Sequence, residues 1–297
     1  MFQSRRDFVI ELAMSGTLAA ASPFSYAKLK GAEIKIGYSA IAWNDQDTRA
    51  IDDVSALGVP GIQLRANVLK EFPDPHALRD LLGQHHLEFV ALSSGTAPLD
   101  PVVRQSTIEE HVKHAQYLLA AGGRYLQIVA ASSKGKTLTA DDFNYEGQLL
   151  TDIAKPVSDL GIQTSLHNHM GTMAQTPKQL DAVLNAADAR YVKLELDTAH
   201  YLQGGGDPAS AVRQYGRRLL FLHLKDVKSA PTASGYEFAE LGQGRVNFPA
   251  LFAALGSIHF RGWGIIELDG PRPNDTRTPR ESAEVSKRYL EKLGVLA

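Results

Sequence analysis

The most informative absence in this sequence is cysteine, because its 297 residues contain none. Disulfide bonds, thiolate metal sites and cysteine nucleophiles are therefore excluded. An excess of one charge is also lacking, since 31 Lys and Arg residues face 33 Asp and Glu residues. This balance provides no basic surface for nucleic acid or for an anionic membrane, so we expect neither as a partner.

Two longer patterns are missing as well. No glycine-rich dinucleotide fingerprint follows any predicted strand, which disfavours an open nucleotide-binding sheet. Outside the amino terminus, no stretch reaches the ~18 apolar residues that a membrane span requires. We therefore expect no membrane association after export, for which the amino terminus carries a candidate signal.

The amino terminus matches an export signal. Ser4-Arg-Arg-Asp-Phe-Val-Ile10 is a twin-arginine pattern, the apolar run from Val9 to Ala21 follows, and Ser25-Tyr-Ala27 resembles a cleavage site. The alternative is an arginine pair that opens an ordinary helix. We predict a twin-arginine signal over residues 1–27, a periplasmic location, and one barrel domain over residues 28–297.

From Glu33 onward, short apolar strands alternate with amphipathic helices at a spacing of roughly 30 residues, the length of a βα unit. Several helices begin with a capping residue and a proline, as at Asp74-Pro75, Thr176-Pro177 and Asp207-Pro208. Such repeats with right-handed crossovers predict an α/β protein that forms a single (β/α)8 TIM barrel, with an open doubly wound sheet as the alternative. The eight predicted strands cover residues 34–40, 61–65, 87–93, 125–130, 163–167, 191–197, 219–224 and 264–268.

Polar side chains gather where the last four predicted strands end, which is where TIM barrels have their active sites. Four adjacent strands present one candidate metal ligand each, namely His167, Asp197, His223 and Glu267. Two imidazoles and two carboxylates suit one divalent ion, either Mn²⁺, Mg²⁺, Co²⁺, Fe²⁺ or Zn²⁺. The alternative is a buried lattice of ion pairs, which is costly without a compensating cation.

Alternation along the strands assigns further roles, because side chains two residues apart share a face. Lys225 shares a face with His223 and can reach a substrate oxygen, although an ion pair is the simpler alternative. Glu195 lies deeper than Asp197, where it can contact substrate, hydrogen-bond a ligand residue or serve the barrel interior alone. The candidate substrate contacts are Trp43, Gln127, Glu195 and Asp226. For Trp43, packing in the core is an equal alternative.

At these residues the chain resembles the xylose-isomerase-like TIM barrels, a superfamily of sugar isomerases and epimerases, over Ile34 to Leu293. The motifs that carry this resemblance are Leu196-Asp-Thr-Ala-His200, Leu222-His-Leu-Lys-Asp-Val227, Gly242-Gln-Gly and Ile266-Glu267. Three more motifs resemble the inosose dehydratase branch, namely Ala40-Ile-Ala-Trp-Asn-Asp45, His167-Asn-His-Met-Gly-Thr172 and Gly262-Trp-Gly-Ile-Ile-Glu-Leu-Asp269. The resemblance implies the same divalent metal site that the strand ends suggest.

One departure from the superfamily bears on the reaction. Ketose epimerases in it commonly have a metal-binding glutamate where this chain has His167, which favours a dehydratase-like reaction. We expect a lyase or isomerase that removes an α-proton from a non-phosphorylated keto-sugar, keto-cyclitol or 3-keto-glycoside. In that reaction His169 or His200 would be the general base, and Lys225 would stabilise the oxyanion.

Loss of a β-hydroxyl or β-alkoxy group would then give elimination, whereas reprotonation would give epimerisation or isomerisation. A periplasmic sugar-binding protein without catalysis is a further alternative. A nuclease of the same fold is disfavoured by the charge balance and by the export signal. We expect a small carbohydrate as the partner, and the sequence is compatible with a homo-oligomer.

Overall fold

Eight parallel strands close into a barrel in the computed structural model, which describes residues 27–29, 31–269 and 276–296. The last of these strands pairs with the first, so the barrel sheet has no free edge. The barrel strands are β2 (Ala32–Ser39), β3 (Gly61–Arg65), β4 (Glu88–Ala97), β5 (Tyr125–Ala130), β6 (Gln163–His167), β7 (Val192–Asp197), β8 (Leu219–Leu224) and β11 (Arg261–Ile266). A short strand, β1 (Ala27–Leu29), pairs antiparallel with β2. The predicted TIM barrel is confirmed.

Helices follow the strands and surround the barrel. They are α1 (Asp47–Ala56), α2 (Val68–Glu71), α3 (Pro75–Gln84), α4 (Arg104–Ala120), α5 (Ala140–Asp159), α6 (Pro177–Ala186), α7 (Thr198–Gln203), α8 (Pro208–Tyr215), α9 (Phe248–Ser257) and α10 (Pro279–Lys292). The capping side chains predicted before proline, on Asp74, Thr176 and Asp207, each accept a hydrogen bond from a backbone amide of the helix. None of the helices in the described part of the chain combines the length and apolar character needed to cross a bilayer.

Two elements above the carboxyl ends of the strands were not predicted. Helix α7 begins directly after Asp197, so one residue both ends a strand and caps a helix. A hairpin of β9 (Asp226–Ser229) and β10 (Tyr236–Ala239) lies between the predicted strands at residues 219–224 and 264–268. Each hairpin strand has only four residues, which is too short for an alternating pattern to stand out in the sequence.

The predicted export signal lies almost wholly outside the residues that the structure describes, the first of which is Ala27. The signal and its cleavage after Ala27 therefore stay predictions.

An apolar floor fills the barrel interior below the strand ends. Its members Phe221 and Ile265 lie two residues before His223 and Glu267, and therefore directly beneath them on the same face. Trp263 extends the floor toward the opposite end of the barrel, where Lys35 Nζ lies 5.3 Å from the centre of its ring. The polar residues at the strand ends are thus closed off from below.

The packing of this apolar floor predicts one glycine at which substitution lowers stability. A β-carbon on Gly61 would lie 2.4 Å from the Trp263 ring and 2.6 Å from a methyl group of Val90. Gly61→Ala should lower the free energy of unfolding by about 1–3 kcal/mol, because the packed interior has no room for the methyl group. Urea unfolding measures this, with Gly83→Ala as the control, because a β-carbon there meets no atom within 4 Å. Equal effects of the two changes would contradict a tightly packed interior.

Glu146 is a fully buried carboxyl group in α5, behind the end of β5. Its Oε1 accepts a hydrogen bond from the Ala131 amide at 3.0 Å, and its Oε2 has no partner among the described residues. Burial raises the pKa of Glu146 to about 8, against the smaller opposing effect of that hydrogen bond. Glu146 is therefore largely protonated at neutral pH.

This pKa predicts a pH-dependent stability. A carboxyl group whose pKa rises on folding stabilises the protein fully below its unfolded pKa, and this stabilisation is lost as the pH rises through the folded pKa. Relative to Glu146→Gln, the wild type should therefore lose stability between the ordinary pKa of 4.5 and a pH of about 8. We expect a relative loss of at least ~1 kcal/mol in urea unfolding across this range. A difference that is constant with pH would rule out the titration.

Candidate metal centre

The four predicted metal ligands lie together in one buried cluster at the barrel mouth. One ligand atom from each of His167, Asp197 and His223 lies within 4.8 Å of the others. Glu267 Oε1 lies 3.2 Å from His223 Nδ1. The four residues are at most 5% exposed, and each comes from a different strand end. The closed barrel therefore brings together side chains that are up to 100 positions apart in the sequence.

The atoms that face one another in this cluster fit a divalent cation. His223 Nδ1 and Asp197 Oδ2 are buried, lie 3.7 Å apart, and make no hydrogen bond with a described residue. His223 uses its other nitrogen, Nε2, to donate toward Glu195 Oε1 at 2.7 Å. In the neutral ring, Nδ1 then presents its lone pair to the carboxylates of Asp197 and Glu267. That arrangement is unfavourable unless a proton on Nδ1 or a metal cation lies between them, and a mixed nitrogen and oxygen set suits a divalent ion.

The charges of this cluster also shift the pKa values of its members. Burial alone would lower the pKa of His223, but Glu195 and Glu267 raise it well above its usual value. Burial alone would raise the pKa of Glu267, but His223 and Lys225 lower it well below its usual value. The cluster therefore stabilises positive charge at its centre.

Glu195 holds two of the candidate ligands from below. Its Oε1 lies 3.1 Å from His167 Nδ1 and 2.7 Å from His223 Nε2. A carboxylate only accepts hydrogen bonds, so both nitrogens carry protons and the opposite nitrogens are left as possible metal ligands. The prediction that Glu195 contacts substrate is wrong, because its fully buried carboxylate lies beneath the histidines.

Gln63 also contacts His223 but was not identified from the sequence. Its Oε1 lies 2.8 Å from His223 Nε2 and shares the single proton of that nitrogen with Glu195, and its Nε2 donates to Gln127 Oε1 at 3.0 Å. The only available signal was a polar residue inside the otherwise apolar start of β3. Gln127, a predicted substrate contact, lines the cavity above the cluster.

Lys225 is fully buried beside the cluster and is held by carboxylates. Its Nζ donates to Glu267 at 3.0 Å and to Asp269 at 2.8 Å, and it lies 3.8 Å from Asp197 Oδ2. Burial would lower the pKa of Lys225, but the three carboxylates raise it. Lys225 is therefore a fixed positive charge next to the candidate ligands.

The two histidines that were alternative general bases differ in their hydrogen bonds. His169 Nδ1 lies 2.6 Å from the carbonyl oxygen of Met170, so Nδ1 carries the proton and Nε2 keeps its lone pair. His200 Nδ1 lies 3.2 Å from the Met170 amide, and its Nε2 lies 3.2 Å from the Lys225 ammonium, so both of its ring nitrogens face hydrogen-bond donors. Burial lowers the pKa of both side chains. Of the two, His169 has the available basic nitrogen.

Two predicted substrate contacts are wrong. Trp43 is 2% exposed, packs edge-on against Tyr38 with ring centres 5.6 Å apart, and donates from Nε1 to Asp53 at 2.8 Å. Its indole ring therefore belongs to the core. Asp226 is fully buried, and its two oxygens accept hydrogen bonds at 2.9–3.0 Å from the backbone amides of Val227, Gly242, Gly244 and Val246. These four amide donors occupy both oxygens of Asp226, and the carboxylate therefore holds the loop in place.

A cavity of about 110 Å³ opens above the candidate ligands. His167 and Glu267 form part of its lining, and His169 and Asp269 lie beside them. Arg65, at the end of β3, also lines the cavity and pairs with Asp45 at 3.1 Å. A small polar molecule in this cavity would contact two of the four candidate metal ligands, His169 and one arginine.

A closed parallel barrel with this group of histidines and carboxylates places the protein among TIM barrels that have a candidate metal centre. The chain belongs to the xylose isomerase-like TIM barrel family, whose model matches residues 51–292. It is 24% identical to the rhizopine catabolism protein MocC of Rhizobium meliloti, over 89% of this chain and 90% of that protein. It is also 24% identical to an inosose dehydratase of Lacticaseibacillus casei, over 87% of this chain and 96% of that enzyme.

Solved structures share the fold at lower identity. The IolI protein with a bound zinc atom superposes with a TM-score of 0.73 at 18% identity, covering 87% of this chain and 97% of that one. The probable 3-DHS dehydratase AsbF of Bacillus anthracis gives 0.71 at 17% identity, covering 87% and 99%. An L-ribulose 3-epimerase gives 0.71 at 18% identity, covering 88% and 94%.

The position of Glu195 predicts a change in metal affinity. Glu195→Gln keeps one oxygen acceptor but removes the negative charge, so the hydrogen bonds from His167 and His223 become weaker and the orientation of both rings is loosened. We expect divalent-metal affinity to fall about 10- to 100-fold. Competition with a coloured chelator measures this affinity. Glu237→Gln, which removes a carboxylate paired with Lys228 on the hairpin, is the control and should leave it unchanged. Equal affinities in the two variants would show that Glu195 does not orient the ligands.

Proposed function

We propose that this protein is a divalent-metal-dependent lyase or isomerase that acts on a non-phosphorylated keto-sugar, keto-cyclitol or 3-keto-glycoside. The observation that carries the proposal is the convergence of His167, Asp197, His223 and Glu267, with two unpaired atoms turned inward. A basic imidazole and a fixed ammonium group lie beside that cluster. Relatives named inosose dehydratase support a sugar lyase, and the structural neighbour named L-ribulose 3-epimerase supports the isomerase alternative.

The chain's own residues divide the chemistry between them. A divalent ion held by the four ligands would polarise a substrate carbonyl group and so acidify the neighbouring C–H bond. His169 Nε2 takes that proton, since its lone pair is free and the neutral ring has a suitable basicity. The buried Lys225 ammonium group stabilises the negative charge that develops on the substrate oxygen through its electric field and without direct contact.

Elimination and epimerisation share this first step. When the C–H electron pair forms a double bond, the bond to a β-oxygen breaks, and the departing oxygen takes up a proton as water or as an alcohol. Return of a proton to the same carbon from the opposite face gives the epimer instead. His200 is not placed to be the first base, because its Nδ1 faces the Met170 amide. Its Nε2 faces the Lys225 ammonium at 3.2 Å, so neither nitrogen of His200 presents a free lone pair to a substrate.

The cellular setting is part of the proposal. We propose that residues 1–27 direct the folded protein through the twin-arginine pathway, which would place the enzyme in the periplasm. A periplasmic location favours free sugars and glycosides over phosphorylated intermediates. The balanced charge gives no reason to expect a nucleic-acid partner.

The test is proton exchange in D₂O, followed by NMR with a panel of keto-sugars, keto-cyclitols and 3-keto-glycosides. With Mn²⁺ or Zn²⁺ supplied, the wild type should exchange the α-proton of at least one compound. His169→Gln should slow this exchange by about 10²- to 10⁴-fold, because it removes the base. His200→Gln should slow it less.

The metal content of each sample is measured alongside, because His169 lies two residues from a candidate ligand. Bound metal without exchange of any keto compound would contradict catalysis and leave a sugar-binding protein. A larger loss in His200→Gln than in His169→Gln, at equal metal content, would overturn the assignment of the base.

A further inference from the structure

The β9–β10 hairpin presents one aromatic face to the candidate site. Tyr236 and Phe238 are two residues apart on β10 and share that face, with ring centres 5.7 Å apart. Glu237, between them in sequence, points to the other face and pairs with Lys228 at 2.8 Å. The charged side of the hairpin is therefore turned away from the barrel mouth.

Phe238 packs against two residues of the candidate site. Its ring centre lies 4.3 Å from Lys225 Nζ and 4.8 Å from the centre of the His200 ring. A cation over an aromatic ring and an edge-on imidazole are both favourable contacts for Phe238. This ring thus covers the fixed ammonium group.

Tyr236 is the next ring outward on the same face. It is only partly buried, and burial raises its pKa, with Lys225 lowering the value and Asp269 raising it. Both charges belong to the site already described. Tyr236 therefore lies beside the ring that covers Lys225, on its outward side.

The base of the hairpin is held firmly. The four amides clamped by Asp226 come from the start of β9 and from the segment just after β10. A β-carbon on Gly244 would lie 2.2 Å from Asp226 Oδ1, which shows how closely the loop approaches the carboxylate. Glu240, at the exit of β10, accepts from Ser282 at 3.1 Å and thereby ties the hairpin to α10. The aromatic face is thus fixed relative to the barrel.

We propose that Tyr236 is a specificity-determining residue whose ring stacks against the C–H face of a cyclic polyol or pyranose entering the site. Such a ring has polar edges and an apolar C–H face, which is complementary to a partly exposed phenol ring in a fixed position. An open-chain polyol lacks a rigid C–H face and would gain less from the contact. The inference rests on the proposed carbohydrate substrate and narrows it to ring-shaped molecules.

Saturation-transfer NMR tests this inference without requiring turnover. The full mature chain with Mg²⁺, which avoids paramagnetic broadening, is mixed with myo-inositol or with the open-chain polyol sorbitol, and aromatic protein protons are irradiated. We expect transfer to the ring protons of inositol and weaker transfer to sorbitol. Tyr236→Leu, which keeps an apolar side chain without a ring, should weaken inositol binding about 3- to 10-fold.

Two further variants separate stacking from other effects. Tyr236→Phe should bind inositol as the wild type does, because the ring is kept. Tyr191→Leu, at the opposite end of the barrel beside the start of β7, should also be unchanged. With a keto substrate, Tyr236→Leu should raise KM and leave kcat within about 3-fold of the wild type.

Three outcomes would overturn the role of Tyr236. These are equal inositol binding by Tyr236→Leu and wild type, equal transfer to inositol and sorbitol, and no transfer to inositol in wild type. Failure of the proposed reaction has a different signature, since cyclic polyols would still bind through Tyr236 while no keto compound exchanges its α-proton.

Discussion

The candidate centre depends on one carboxylate, that of Glu195, which contacts two imidazoles at once. A neutral imidazole has one proton and one lone pair, so fixing the proton on one nitrogen fixes the direction of the other. Glu195 does this for His167 and His223 together, from below, where water does not compete. The apolar floor of the barrel supports this arrangement because it excludes solvent from that side.

Asp197 connects the metal centre to the adjoining helix in a similar way. Its Oδ1 accepts from the His200 amide at 2.8 Å and caps α7, while its Oδ2 faces the cluster without a hydrogen bond. The helix cap therefore sets the direction of the second oxygen. The same turn places His200 against Met170 and Phe238. His200 therefore connects the cap of α7 with the β9–β10 hairpin.

The loops above the barrel are held by buried acids. Asp226 satisfies the Val227 amide in β9 and three amides of the segment that follows the hairpin, and Lys225 is surrounded by three carboxylates. Removing one partner from such a buried group would leave an uncompensated charge or unpaired amides, both of which are costly. We therefore regard the rigidity of the mouth as a consequence of complete pairing around these two residues.

The sequence by itself determined the barrel and the four candidate ligands, because both follow from local patterns. Strand alternation and helix caps are patterns of residues close together in the sequence. In a parallel barrel, the carboxyl ends of all strands lie at the same opening. Only the tertiary structure decided that His169 has the free nitrogen, that Glu195 lies beneath the ligands, and that Trp43 and Asp226 are buried against partners outside the cavity. Those facts depend on which groups meet across strands and loops, and a hydrogen-bond partner many residues away leaves no local pattern.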